Sequence, residues 1–114
     1  MPKKLRFDDS LVEPILAGSK KATWRLNDDK DLTEGDILEL IRYSDKTSFA
    51  TAMITQVVEK PFAELTEEDW QGHERFSTDE EMYTSYAKYY NQPVDPKTKL
   101  KIVRFELLNL NNAA

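Results

Sequence analysis

The sequence predicts an α+β fold, a small curled sheet or barrel carrying helices at its flank. Two observations point there. Five segments have strand character, "KLRF", "KATWRL", "ILELIR", "SFATAMITQVVE" and "KLKIVRFELL", while helical patterning is confined to one early segment and a stretch after Pro61. Strands and helices also fail to alternate regularly, which argues against a doubly wound parallel sheet. A chain of 114 residues fits one domain, 1–114, with a loose polar tail expected near 109–114 in "NLNNAA".

Each element has its own local cause. After "KLRF", Asp9 or Ser10 can cap a helix over "LVEPILA", and Gly18 supplies its left-handed stop. Pro14, within the first turns, slightly weakens that helix signal. "KATWRL" alternates, so Lys21, Thr23 and Arg25 share one strand face and Ala22, Trp24 and Leu26 the other. The polar stretch "NDDKDLTEGD" is a loop that leads through Gly35 into "ILELIR", and "SFATAMITQVVE" is a long β-rich run. Thr66 and Asp69 have capping-box spacing, and "STDEEMYTSYAKYY" opens with capping residues and first-turn acids. In that helix Tyr83, Tyr86 and Tyr90 form one stripe, expected to pack on the sheet together with Trp70. "QPVDP" ends the helix, and the closing strand turns Val103, Phe105 and Leu107 to one face.

Composition narrows the chemistry. With no cysteine, disulfides, thiolate metal sites and thiol nucleophiles are excluded; with His73 as the single histidine, a conventional metal cluster is not expected. No apolar run approaches the ~20 residues of a membrane span, so a cytoplasmic protein without membrane contact is expected. A net charge of −5 argues against a coat for duplex nucleic acid. The charge is uneven, however. Residues 1–26 hold six Lys and Arg against three carboxylates, so the acidic excess lies in 27–114. One basic neighbourhood on an acidic body suits a small anion or a short stretch of backbone.

That neighbourhood is "GSKKATWR", which brings a threonine hydroxyl, two amines and a guanidinium together. Threonine attacks poorly unless a base removes its proton. A lysine serving as that base near neutrality needs its pKa lowered from ~10.4 by about 3 units, through neighbouring cations and burial. The plainer reading makes Lys20 and Lys21 solvated turn residues and pairs Arg25 with a surface carboxylate.

At exact spacing, Gly18, Lys20, Thr23 and Arg25 read G-x-K-x-x-T-x-R, behind "ILAGSK" and ahead of "LTEGDILEL". With "FAELTEEDW", "HERF" and "KIVRFELL" following in order, the chain resembles the ASCH domain family of the PUA-like superfamily over nearly its whole length. The resemblance implies a mixed β-pseudobarrel with a cleft and flanking helices, and binding of a nucleoside or short single-stranded RNA. It further implies an amidohydrolase that removes the acyl group from N(4)-acetylcytidine without a metal or other cofactor. By position Lys20 is the base, Thr23 the nucleophile and Glu74 the acid/base partner. Lys21 and Arg25 are substrate-binding cations, and Lys21 is a rival for the base role. Glu67, Glu68 and Asp69 are alternative carboxylates. A non-catalytic RNA-binding module is the competing expectation, and a metal-assisted ribonuclease the weaker third. Trp24 is assigned to the core, and His73 to a structural or exposed position.

Overall fold

The computed structural model describes residues 2–110. Five strands and three helices run in the order β1 (Lys3–Phe7), α1 (Val12–Ala17), β2 (Ala22–Arg25), β3 (Ile37–Arg42), β4 (Ser48–Pro61), α2 (Glu67–Trp70), α3 (Asp79–Tyr90) and β5 (Lys99–Leu110). They form one mixed five-stranded sheet in the order β1-β3-β4-β5-β2. The β1–β3 pair is parallel and the other three pairs are antiparallel. The expected α+β class holds, and the sheet is curled into a half-barrel. Register shifts in the long β4–β5 ladder, after Thr51 and after Ile54, are bulges of the kind that bend a strand.

The curl brings the two edge strands together. Arg25, at the end of β2, donates from Nη2 to the carbonyl of Arg6 in β1 at 3.1 Å, and its guanidinium lies 5.0 Å from the Phe7 ring centroid. An arginine over an aromatic face adds a modest electrostatic attraction to that seam.

Alternation along β5 serves two cores. Val103 and Phe105 join Leu5, Phe7, Phe49 and Ile54 in one cluster, with Leu107 packed against it. Leu100 and Ile102 join Trp24, Leu26, Phe62 and Met82 in the other. The tyrosine stripe packs on this second cluster, as do Trp70 and Phe76.

Most local signals perform as read. Gly18 takes φ 86° at the end of α1, and Thr66 and Asp69 close a complete capping box. The first cap differs. Asp8, rather than Asp9 or Ser10, accepts from the Ser10 amide and hydroxyl, because a single 3-10 turn over Asp9–Leu11 precedes α1 and moves the entry back one residue. In the expected tail, residues 109 and 110 continue β5, whereas 111–114 lie outside the described residues. Among the described residues no helix is long and apolar enough to cross a membrane.

Candidate functional site

The site is built where β2 meets an irregular strap, residues 71–78, between α2 and α3. Gly72 presses this strap onto the start of β2. Its carbonyl accepts from the amides of Lys21 and Ala22 at 2.7 and 3.2 Å. Arg104 of β5 fixes the strap from below, donating to the carbonyls of Gln71 and Glu68 at 2.8 and 2.6 Å.

Lys20 is only 4% exposed, and its amine donates to Glu74 Oε2 at 2.7 Å and to the Ala22 carbonyl at 2.9 Å. Burial drives its pKa below the ordinary lysine value, partly opposed by the attraction of Glu74 and assisted by the charge of Arg25. Glu74 is the exposed half of the pair, with its side chain 43% accessible. Desolvation pushes its carboxyl up, but the positive charges of His73, when protonated, and of Lys20, with the hydrogen bond from Lys20, leave it below the usual range. His73 is itself held near 4, chiefly by burial and secondarily by the Lys20 charge, so above that pH Lys20 is the cation that matters to Glu74.

Thr23 is also buried, at 5% exposure, and Oγ1 accepts from Arg25 Nε at 3.0 Å. The four motif-linked residues therefore form two contacting pairs, Lys20 with Glu74 and Thr23 with Arg25. Lys20 bonds to the carbonyl of Ala22, the residue immediately before Thr23, so the pairs are adjoining. Catalytic hydrogen bonds commonly tighten only when substrate is bound.

A cavity of about 290 Å³, at the small end of the size range of ligand pockets, adjoins this centre through Glu74; Lys20, Thr23 and Arg25 lie behind its wall and are not among its lining residues. Glu74 contributes a polar wall, Asp8 and Ser10 line one rim, and Trp24, Phe76 and Tyr86 are among the aromatic walls. Burial keeps the Tyr86 phenol protonated. Trp24 is core, as expected, but it also faces this cavity, and its indole Nε1 is buried without a hydrogen-bond partner.

The rival residues lie elsewhere. Lys21 lines a separate groove with Gly18, Ser19, Gln71, Gly72 and Arg104. Asp69 is bound to Lys60 at 2.7 Å and to its own helix cap, while Glu67 pairs with Arg75. Glu68 offers its backbone carbonyl to Arg104. Glu74 is thus the carboxylate that meets Lys20. Among the described residues no three His, Asp or Glu side chains gather as metal ligands would.

Neither a family model nor a curated protein matches the sequence. Solved structures do. A DUF984-family protein from Enterococcus faecalis V583 superposes with TM-score 0.82 at 20% identity, over 100% of this chain and 84% of that one. An ASCH domain from Lactobacillus crispatus JV V101 gives 0.67 at 13% identity, over 89% and 72% of the two chains. ASCH from Zymomonas mobilis gives 0.66 at 10%, over 96% and 72%.

The fold is ASCH-like. The expected mixed pseudobarrel is therefore the observed architecture, and in this ASCH-like domain Trp24 of β2 and Glu74 of the strap both line the cavity.

His73 takes the structural one of its two expected positions, but its partners there were not foreseen. It is buried, stacks on Trp24 at 3.9 Å and 16°, and touches the backbone of Glu74. Adjacency to Glu74 was its only sequence signal.

Proposed function

We propose that the chain is an amidohydrolase that removes the acyl group from N(4)-acylated cytidine or a related modified nucleoside. Thr23 is the nucleophile, Lys20 its base and Glu74 the acid. The observation that supports this reading is the Lys20–Glu74 contact of 2.7 Å, with the amine buried. A lysine that grips RNA phosphate needs to reach solvent, and Lys20 does not. A desolvated amine with one carboxylate partner beside a ligand-sized cavity is the environment in which lysine becomes a base.

The resting pair is ammonium and carboxylate. Substrate filling the cavity covers the half-exposed Glu74 and strips water from its charge. Desolvation then favours the neutral pair, reached when one proton passes from Lys20 Nζ to Glu74 Oε2. The free amine takes the hydroxyl proton of Thr23 as Oγ1 bonds to the acyl carbon. Arg25 Nε, already on Oγ1, stabilises the oxygen as charge develops. Breakage of the C–N bond releases the cytosine amine, which takes its proton from Glu74. Water next attacks the acyl-threonine ester; the acyl group leaves as a carboxylic acid, and Thr23 recovers its hydrogen.

The test is incubation of the purified chain with N(4)-acetylcytidine while free cytidine is followed by chromatography. Turnover that disappears in Lys20→Ala and Thr23→Ala is expected. A folded wild-type chain that leaves the nucleoside intact removes the proposal.

A further inference from the structure

We propose that His73 is a positioning residue that aims Glu74 at Lys20 through the hydrogen bond from its Nδ1–H to the Glu74 carbonyl. The inference rests on the reading of Glu74 as the acid partner of Lys20. Residues 71–78 have no strand or helix ladder of their own, so contacts from neighbouring elements must hold the strap. Up to Gly72, the Lys21 and Ala22 amides and Arg104 do so. Beyond Gly72, Arg75 pairs with Glu67 and Phe76 packs against Trp70 and Tyr86, while His73 bonds the Glu74 backbone itself.

Its ring is clamped on two sides, stacked on Trp24 and edge-on to Trp70 at 6.1 Å and 76°. The side chain is 1% exposed. From that fixed ring, Nδ1 lies 2.7 Å from the Glu74 carbonyl oxygen. A carbonyl can only accept, so Nδ1 carries the hydrogen and Nε2 is left with a bare lone pair in the neutral ring. That lone pair lies 3.6 Å from Glu74 Oε1. Two acceptors repel, so Oε1 gains nothing by approaching the ring, while Oε2 meets the Lys20 amine at 2.7 Å. The imidazole thus fixes the Glu74 backbone and disfavours rotation of its carboxylate away from Lys20. The charged groups acting on His73 are Lys20, Glu74 and, from β5, Arg104, and burial among the indoles keeps the ring neutral above about pH 4.

A histidine that merely filled space between two tryptophans would be replaceable by another ring. Two variants separate these roles. His73→Phe keeps a ring and loses the donor; His73→Asn loses the ring, and its side-chain amide can still donate to the carbonyl.

The readout is titration of the Lys20 amine by ¹⁵N NMR on the full chain, assigned by the signal lost in Lys20→Met. Without an aimed carboxylate the buried amine loses its counter-charge, so its titration moves to lower pH. Glu74→Gln calibrates that fall. The expected result is a fall in His73→Phe towards the Glu74→Gln value, with His73→Asn staying near wild type. In N(4)-acetylcytidine hydrolysis, His73→Phe lowers kcat by about tenfold or more, approaching the ~10²–10⁴-fold that outright loss of an acid–base group costs, with a smaller change in KM.

A His73→Phe chain whose Lys20 titrates as in wild type overturns the inference. So does a His73→Asn chain that falls as far as His73→Phe, and this variant decides the matter if His73→Phe does not fold. The titration needs no substrate. Failure to hydrolyse N(4)-acetylcytidine would therefore strike the amidohydrolase reading alone, and an unmoved Lys20 would strike the role of His73 alone.

Discussion

Lys20 and Glu74, separated by 54 positions in the chain, meet at 2.7 Å with the amine buried and the carboxylate half in water. This asymmetry predicts opposite stability effects from removing each partner. Lys20→Met replaces a buried charge with an apolar chain of similar length and leaves Glu74 able to turn to solvent. Stability is expected to hold or rise while activity is lost. Glu74→Gln instead strands a buried ammonium. The expected cost is about 1 kcal/mol, well below that of a fully buried pair because Glu74 is already partly screened by water. Urea unfolding of both variants checks the signs.

Thr23 distinguishes hydrolysis from binding. Thr23→Ala removes the nucleophilic oxygen and is expected to reduce cytidine release from N(4)-acetylcytidine by at least ~10²-fold, whereas Thr23→Ser keeps an oxygen for Arg25 Nε and retains measurable turnover. A binding module has no need of the hydroxyl. Equal activity in wild type and Thr23→Ala would exclude threonine as the nucleophile.

Local chemistry was readable where partners are close in sequence. The left-handed stop at Gly18, the Thr66–Asp69 box and the two-faced alternation of β5 each depend on residues within a few positions. The motif likewise brings Thr23 and Arg25 into contact two positions apart on one strand face. Burial of Lys20 was not readable, because it depends on a strap arriving from residues 71–74. By alternation Lys21 is the residue that shares a face with Thr23, yet it lines the Arg104 groove instead. Its amide is tied to Gly72 just before β2 begins, and Gly72 and Gln71 of the strap wall the groove that its side chain lines. His73 was illegible for a related reason: its partner Trp24 comes from β2, on the far side of the sequence.

Stability should fall on mild acidification because of His73. Its folded pKa is about 4 against an ordinary 6.5, so between these values the unfolded chain binds the proton more readily. The contribution is fully present above about pH 6.5 and is lost progressively as pH falls towards 4. Its size is about 3 kcal/mol at full development. The lowered carboxyls of Asp8 and Glu74 act further down, below their ordinary values, so the window from pH 6.5 to 5 reports the histidine. Urea midpoints across this window should slope in wild type and flatten in His73→Asn. A flat wild-type profile would show that the ring accepts its proton without leaving the Trp24 stack.

Gly72 is where the strap bonds to the start of β2, and a methyl group there tests how tightly the site is built. The residue has φ 76°, and an added Cβ would lie 3.0 Å from Lys21 Cβ and 3.3 Å from the Lys21 amide nitrogen. The left-handed backbone alone costs a non-glycine residue about 1–2 kcal/mol, and the contact with Lys21 adds to it, because backbone atoms cannot swing aside. Gly72→Ala is therefore expected to destabilise the chain by about 2 kcal/mol or more. The damage should also be directional. The Gly72 carbonyl accepts from both Lys21 and Ala22, and Glu74 lies two residues further on, so relief of the clash lifts the strap and carries the carboxylate away from Lys20. Gly18→Ala makes the control: its φ of 86° imposes similar backbone strain, but an added Cβ meets nothing within 4 Å. Both variants should lose stability in urea, while Gly72→Ala alone should lower the Lys20 titration. Equal Lys20 titrations in the two variants would mean that the strap can yield at Gly72 without moving Glu74.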